Sequence, residues 1–236
     1  MKLEELLSKA DPNDLAKRID HTNLKPDASV SDLERTCREA LEYEFRGCCI
    51  APWFVREAAA ILAGSDVKLV TVAGFPLGNI PLSVKKAEVE AALVSGADEV
   101  DVVMNVSAFK SGRVDYVRNE LSELVELVRG YGGVIKVIIE TSFLSSEEII
   151  SAARLVAEVG ADFVKTNTGF GKRGVLPGDI VLIKKALSGG KTRVKAAGGI
   201  RRAIDALILI ELGADVLGTS SGKQIVDELK LLSKYS

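Results

Sequence analysis

The sequence predicts an α/β fold, a TIM (β/α)8 barrel with a short N-terminal helical extension, on three observations. Short runs rich in apolar and β-branched residues alternate with amphipathic helical segments about eight times along the chain. The tripeptide Gly-Ala-Asp recurs at 96–98, 160–162 and 213–215, each time at the end of a helical pattern and just before an apolar run. Two glycine-rich stretches, AGGIR and GTSSG, follow the last two runs, where barrels of this kind often hold a phosphate.

The chain opens on MKLEELLSKADPNDLAKRID, a charged amphipathic pattern that reads as helix rather than as a signal peptide. The runs that read as strands lie at 19–22, 47–52, 68–75, 99–105, 134–141, 162–168, 193–197 and 216–219. Amphipathic segments at 30–45, 84–95, 114–129, 146–159 and 200–212 carry apolar residues at helical spacing. WFVREAAAILAGS, after Pro52, makes a short helix, and QIVDELKLLSKY makes the last one. Eight strands with intervening helices is the count of the barrel. The glycine of each Gly-Ala-Asp suits the left-handed residue that closes a helix, which assigns these turns to the bottom face, away from chemistry. No linker or low-complexity stretch interrupts the chain, so residues 1–236 are expected to form a single catalytic barrel domain.

Composition narrows the class. Hydrophobic residues make up 47% and charged residues 27% of the 236 positions, enough apolar material for a sizeable core. The formal net charge of −2 gives no electrostatic case for nucleic acid or for an anionic membrane. Cys37, Cys48 and Cys49 have no framework spacing and point to a reducing compartment, and the adjacent pair would face opposite sides of a strand. His21 is the only histidine, so a His/Cys metal site is not expected. No apolar run reaches the length of a membrane span, and a cytoplasmic location is expected. Gln224 is the only glutamine, a hint of a heat-loving source.

The most informative residues are Lys165 and Lys195, each inside an apolar run that reads as a strand. A buried ammonium needs water, a partner or a chemical task. Their separation of thirty positions is one strand-plus-helix unit, which would set them on neighbouring parallel strands, each making the other harder to protonate. A free lysine with a pKa near about 10.4 is neutral in roughly 0.04% of molecules at pH 7, so lowering it to about 7 raises the nucleophilic amine about a thousandfold. Lys165 attacking a carbonyl would form an iminium, an electron sink for the adjacent carbon–carbon bond. Asp101, on the fourth strand, would pair with Lys195 and pass protons through water. The competing reading is a barrel-interior ion pair with no chemistry. Lys136, also in an apolar run, reads as a structural lysine of a lower layer or strand start.

Phosphate binding is expected at Gly198 and Gly199 in the loop after the seventh strand, and at Gly218, Ser220 and Ser221 after the eighth. Both loops are expected to open helices whose free N–H groups favour an anion. Residues 169–174 spell GxGxxG, but the acidic residue that a dinucleotide site needs about twenty positions later is missing. A loop near the phosphate, with Lys172 or Arg173 supplying charge, is the better reading.

IDHTNLKPDAS, VAGFPLG, EVDVVMNVSAFKSG, VIIETSFL, FVKTNTGFG, VKAAGGIR and GTSSG, in order from residue 19 to 222, together resemble deoxyribose-phosphate aldolase. The resemblance implies a class I, Schiff-base lyase on a TIM barrel, without metal or cofactor. It would interconvert 2-deoxy-D-ribose 5-phosphate with acetaldehyde and D-glyceraldehyde 3-phosphate. By motif it assigns the Schiff base to Lys165, the depression of its pKa to Lys195, and the proton relay to Asp101. Gly169 and Gly171, with the glycines and serines of AGGIR and GTSSG, would hold the phosphate. Asp20 and Thr22 match a motif lining the substrate end; for Asp20 the alternative is a buried capping carboxylate. His21 is expected to be structural, Cys49 a buried free thiol near the cavity, and Tyr235 too close to the end of its helix to reach the site. Phe170 stands where some relatives have lysine, so a direct phosphate contact is not expected there.

The partners expected are small phosphosugars and aldehydes, and exposed apolar helix faces suggest a homodimer or homotetramer. Two rivals use the same phosphate cup: an isomerase with a carboxylate base such as Glu140, and a phosphosugar-binding protein without catalysis.

Overall fold

Residues 3–233 are described in the computed structural model. Two short helices, α1 (Leu3–Ser8) and α2 (Pro12–Ala16), precede the barrel. Asp11 interrupts what reads as one pattern, because its carboxylate accepts the Asn13 and Asp14 N–H groups and caps α2. The alternation then begins with β1 (Ile19–Asn23), α3 (Val30–Glu42), β2 (Gly47–Ile50), α4 (Val55–Leu62), β3 (Lys68–Ala73) and α5 (Leu82–Val94). It continues through β4 (Glu99–Val103), α6 (Val106–Lys110), α7 (Val114–Gly130), β5 (Val134–Ile138), α8 (Ser146–Glu158) and β6 (Phe163–Lys165). The last units are α9 (Pro177–Ala186), β7 (Arg193–Ala197), α10 (Ala203–Glu211), β8 (Val216–Thr219) and α11 (Gly222–Leu232). Each strand pairs in parallel with the next, and β8 pairs with β1, so the sheet closes into an eight-stranded barrel.

Five strands end earlier than their apolar runs, at Ile50, Ala73, Val103, Ile138 and Lys165. Burial persists beyond the strand ends at Met104, Ile139, Thr141 and Thr166, where single backbone hydrogen bonds such as Met104 N–H to the Ile138 carbonyl continue the pairing, whereas Pro52 after β2 is exposed. Helix α6 lies in one of these loops, started by Asn105, whose Oδ1 accepts the Ala108 N–H at 3.0 Å. Helix α9 was not among the amphipathic segments, because PGDIVLIKKA bunches its apolar residues instead of spacing them. The helix expected from residue 200 begins at Ala203, so AGGI is a loop that precedes it. Ser29 and Ser145 start α3 and α8 through reciprocal caps with Asp32 and Glu148. Helix α7 buries Val117, Leu121, Leu124, Val125 and Val128, spaced as one face of a helix, and each such side chain contributes about 1.5–3 kcal/mol when fully buried.

The Gly-Ala-Asp repeat does more than close helices. Gly96, Gly160 and Gly213 have φ of 110°, 80° and 109°, the left-handed region that favours glycine. Two residues on, Asp98, Asp162 and Asp215 accept the N–H of Leu69 (2.7 Å), Ile135 (3.0 Å) and Val194 (2.7 Å). Each aspartate thus satisfies a donor near the start of the preceding strand, which fixes the register of β3 with β4, β5 with β6 and β7 with β8.

Between α5, α7 and the end of β4 lies a buried ion pair. Lys85 Nζ donates to Glu120 Oε2 and to the Val103 carbonyl, both at 2.9 Å, and the same Glu120 oxygen accepts the Asn105 N–H at 3.2 Å. Burial drives the Lys85 pKa down and the Glu120 pKa up, against their mutual attraction. Lys85→Met is expected to destabilise the fold by about 3–5 kcal/mol, because it leaves Glu120 buried without its cation. Urea unfolding checks this, and a loss below about 1 kcal/mol would show that the pair is not a structural anchor.

Candidate active site

Lys165 and Lys195 are register partners on β6 and β7. Both Nζ atoms lie 2.8 Å from Asp101 Oδ2, brought in from β4. Lys136 on β5 is a layer lower than Lys165, since its register partner on β6 is Phe163. It nevertheless reaches Asp101 Oδ1 at 2.8 Å and Glu99 at 2.5 Å. Lys195 also donates to Asp20 Oδ2 at 2.6 Å. Below them Arg46 binds Asp20 at 2.7 Å and Glu99 at 2.6 and 3.0 Å.

These contacts split the two lysines. Burial lowers the Lys165 pKa, Asp101 opposes that shift, and the Lys195 charge adds to it. Burial also disfavours the Lys195 ammonium, but Asp101 and Asp20 outweigh it and raise its pKa above the usual lysine value. The repulsion between the two ammonium groups is mutual, yet the net shifts run in opposite directions, because Lys195 has two carboxylates and Lys165 shares one. Burial raises the Asp20 pKa, but Lys195, Lys136 and Arg46 prevail and hold it at about 2. Asp101 lies well below the usual range, the attraction of Lys136, Lys165 and Lys195 outweighing its burial.

Above Lys165 opens a cavity of about 420 Å³. Of the sequence-predicted site residues, Lys165, Thr22, Gly169, Gly198, Gly199, Gly218 and Ser220 line it. Asp20, Asp101 and Lys195 lie fully buried beneath, with Asp20 bonded to Arg46 and Lys195 rather than facing the cavity. Ser221 is not among the lining residues; its N–H donates to Thr219 Oγ1 at 2.9 Å. Gly171 belongs to a second cavity, of about 510 Å³, on the far side of Phe170. Phe170 lines both and meets Phe75 edge-on at 5.5 Å.

The cationic groups on the first cavity, besides Lys165, are Lys25, Arg35 and Arg201. The sequence points instead to Lys172 and Arg173. Arg173 is consumed by Asp179, at 2.6 and 3.0 Å, and by the Thr141 carbonyl at 3.2 Å. Lys172 lies 5.5 Å over the Phe143 ring and lines the second cavity. Arg201 stood inside AGGIR and Lys25 inside IDHTNLKPDAS, but nothing in residue order says that the first and seventh loops meet across the mouth.

Glu140 was the sequence candidate for a rival base. It has φ of 53°, a conformation that costs a non-glycine residue about 1–3 kcal/mol. Its Oε1 accepts Asn167 Nδ2 (2.9 Å) and Ser142 Oγ (2.7 Å), and its Oε2 accepts the Thr168 N–H (2.9 Å) and Oγ1 (2.6 Å). Both oxygens are committed to holding the loop that follows Lys165, which leaves no lone pair free for a substrate proton.

His21 Nε2 lies 2.8 Å from Glu39, its ring stacks on Phe45, and its Nδ1 has no partner among the described residues. Cys48 faces the outer core, 3.9 Å from Cys37, while Cys49 packs inside the barrel with Val70 and Val72. Burial pushes the Cys49 thiol up, so it is protonated at neutral pH. Tyr235 lies outside the described residues. Among the described residues no three His, Cys, Asp or Glu side chains form a group able to hold a metal ion, and no helix is long and apolar enough to cross a membrane.

The sequence and the backbone are both similar to those of known aldolases. The chain is 49% identical over 215 residues to a deoxyribose-phosphate aldolase of Thermoanaerobacter sp. (strain X514), covering 91% of this chain and 96% of that one. It is 48% identical over 216 residues to that of Thermococcus gammatolerans, with 91% and 96% covered. Its backbone matches a deoxyribose phosphate aldolase of Aeropyrum pernix, described as a tetramer, with a TM-score of 0.90, 35% identity, and 98% and 100% of the two chains covered. The sequence profile described as DeoC/LacD family aldolase matches residues 15–228, which takes in all eight strands, both glycine-rich loops, Lys165 and Lys195, and the chain belongs to that family of aldolases.

Proposed function

We propose that the chain is a class I aldolase that reversibly cleaves 2-deoxy-D-ribose 5-phosphate to D-glyceraldehyde 3-phosphate and acetaldehyde. The observation that carries this reading is Lys165, an amine at the cavity floor whose pKa burial and Lys195 lower and whose single carboxylate is shared. In its neutral form Lys165 Nζ attacks C1 of the open-chain sugar, and loss of water gives the iminium. Removal of the C3 hydroxyl proton breaks the C2–C3 bond, the electron pair moves into the iminium, and glyceraldehyde 3-phosphate leaves. Protonation of the resulting enamine at C2 and hydrolysis release acetaldehyde and restore the amine. Asp101, in contact with Lys165, carries protons through water during these steps, and the Lys195 charge favours the neutral amine. Gly169, Gly198, Gly199, Gly218 and Ser220 surround the phosphate, with Arg201 and Lys25 supplying charge. Phosphate binding at one side of the mouth orients the sugar toward Lys165.

The wider reading is a cytoplasmic enzyme of deoxyribose phosphate breakdown that works without a metal or cofactor. It assembles as a homodimer or homotetramer, in keeping with the tetrameric relative. Borohydride trapping with deoxyribose 5-phosphate, followed by peptide mass mapping, tests the mechanism. A reduced adduct on Lys165 is expected. Binding of the sugar without any adduct would favour a phosphosugar-binding protein and overturn the reading.

A further inference from the structure

The barrel interior holds four basic groups, Arg46, Lys136, Lys165 and Lys195, against three carboxylates, Asp20, Glu99 and Asp101. Contacts run without a gap from Arg46 through Asp20 and Lys195 to Asp101 and Lys165, and in parallel through Glu99 and Lys136. One positive charge is therefore in excess. A buried excess charge is relieved by titration rather than carried, since desolvating an unbalanced ion is costly. Arg46 cannot release a proton. Lys136 and Lys195 each touch at least two carboxylates, whereas Lys165 touches only Asp101, at an oxygen it shares with Lys195. The excess thus falls on the one amine that opens onto the cavity. Cys49, which faces the same interior from β2, is a neutral thiol and does not alter the count.

We propose that Arg46 and Glu99, which touch neither Lys165 nor the cavity, are positioning residues that set the charge balance at Lys165 Nζ from the opposite end of the network. The cation of Arg46 makes the count uneven, and the carboxylate of Glu99 limits the excess to one. This deepens the aldolase reading, in which Lys165 is the reacting amine, but it is testable without an aldol substrate.

The test is the pH dependence of Lys165 carbamylation by cyanate, which reacts with the neutral amine, read by peptide mass mapping in folded protein. Arg46→Met removes the excess, so its midpoint is expected to move up by about one pH unit. Glu99→Gln doubles the excess, and its midpoint is expected to move down. The double variant loses one charge of each sign and is expected to return to the midpoint of the unsubstituted protein, while Arg46→Lys leaves it unmoved. Shifts of the same sign in both single variants, or unmoved midpoints, would overturn the proposal. If Arg46→Met does not fold, the direction of the Glu99→Gln shift decides alone. Cyanate labelling needs no cleavage chemistry, so failed borohydride trapping would count against the aldolase reading and leave this result intact.

Discussion

Replacing Lys165 by alanine is expected to lower cleavage of deoxyribose 5-phosphate by about four orders of magnitude or more, the scale on which removing a covalent nucleophile acts. The barrel is expected to stay folded. Asp101 keeps Lys136 at 2.8 Å and Lys195 at 2.8 Å, so no carboxylate loses its last partner, and the space vacated adjoins a cavity open to water. Removing Lys165 also takes out the excess cation, leaving three basic groups against three carboxylates in the interior. Lys165→Arg separates charge from covalency: it retains a cation but has no amine able to form an iminium, and it is expected to be as inactive as the alanine variant. Turnover by both variants, beside circular dichroism and thermal melts, checks the pair of expectations. Near-normal turnover in Lys165→Ala would exclude the Schiff-base route.

The order of strands was legible because most barrel units repeat the same local instructions, an apolar run, a polar turn and an amphipathic helix, while α6 and α9 lack the helical pattern and are not readable this way. The pairing of Lys165 with Lys195 followed from their spacing alone, since in-register neighbours on parallel strands lie one unit apart. What stayed hidden was contact between distant units. Asp20 meets Lys195 across the seam where β1 closes on β8, a separation of 175 positions that no local pattern encodes. The opposite shifts of the two lysines depend on that contact, so they could not be read before closure was known. Arg173 is hidden for a different reason: Asp179, which captures it, stands only six positions on, but in the first turn of α9, a helix without a clear apolar stripe. Glu140 looked like a free base in sequence and is a loop anchor in space, bonded to Ser142, Asn167 and Thr168.

The second large effect is expected from Lys195→Leu, which should raise the pH at which the Lys165 amine becomes reactive. In that variant Asp20 keeps Arg46 at 2.7 Å and Asp101 keeps Lys136, so the fold is expected to survive. Lys165 becomes the only cation on Asp101 Oδ2, and the repulsion from its neighbour is gone. Both changes favour the ammonium, so the pKa moves up, by about two units. At any pH below the original midpoint the neutral fraction then falls about a hundredfold, and so does the rate of iminium formation. The sign is open to a clean check, because the loss is confined to the acid side: above the new midpoint the amine is again neutral and the rate recovers toward its former plateau. Lys195→Arg keeps a charge beside Asp101 and is expected to hold the acid limb close to its original place. The measurement is kcat/KM for deoxyribose 5-phosphate cleavage across pH. A plateau lowered equally at every pH, with the limb unmoved, would make Lys195 an anchor for Asp20 and Asp101 and would assign the depression of Lys165 to burial alone.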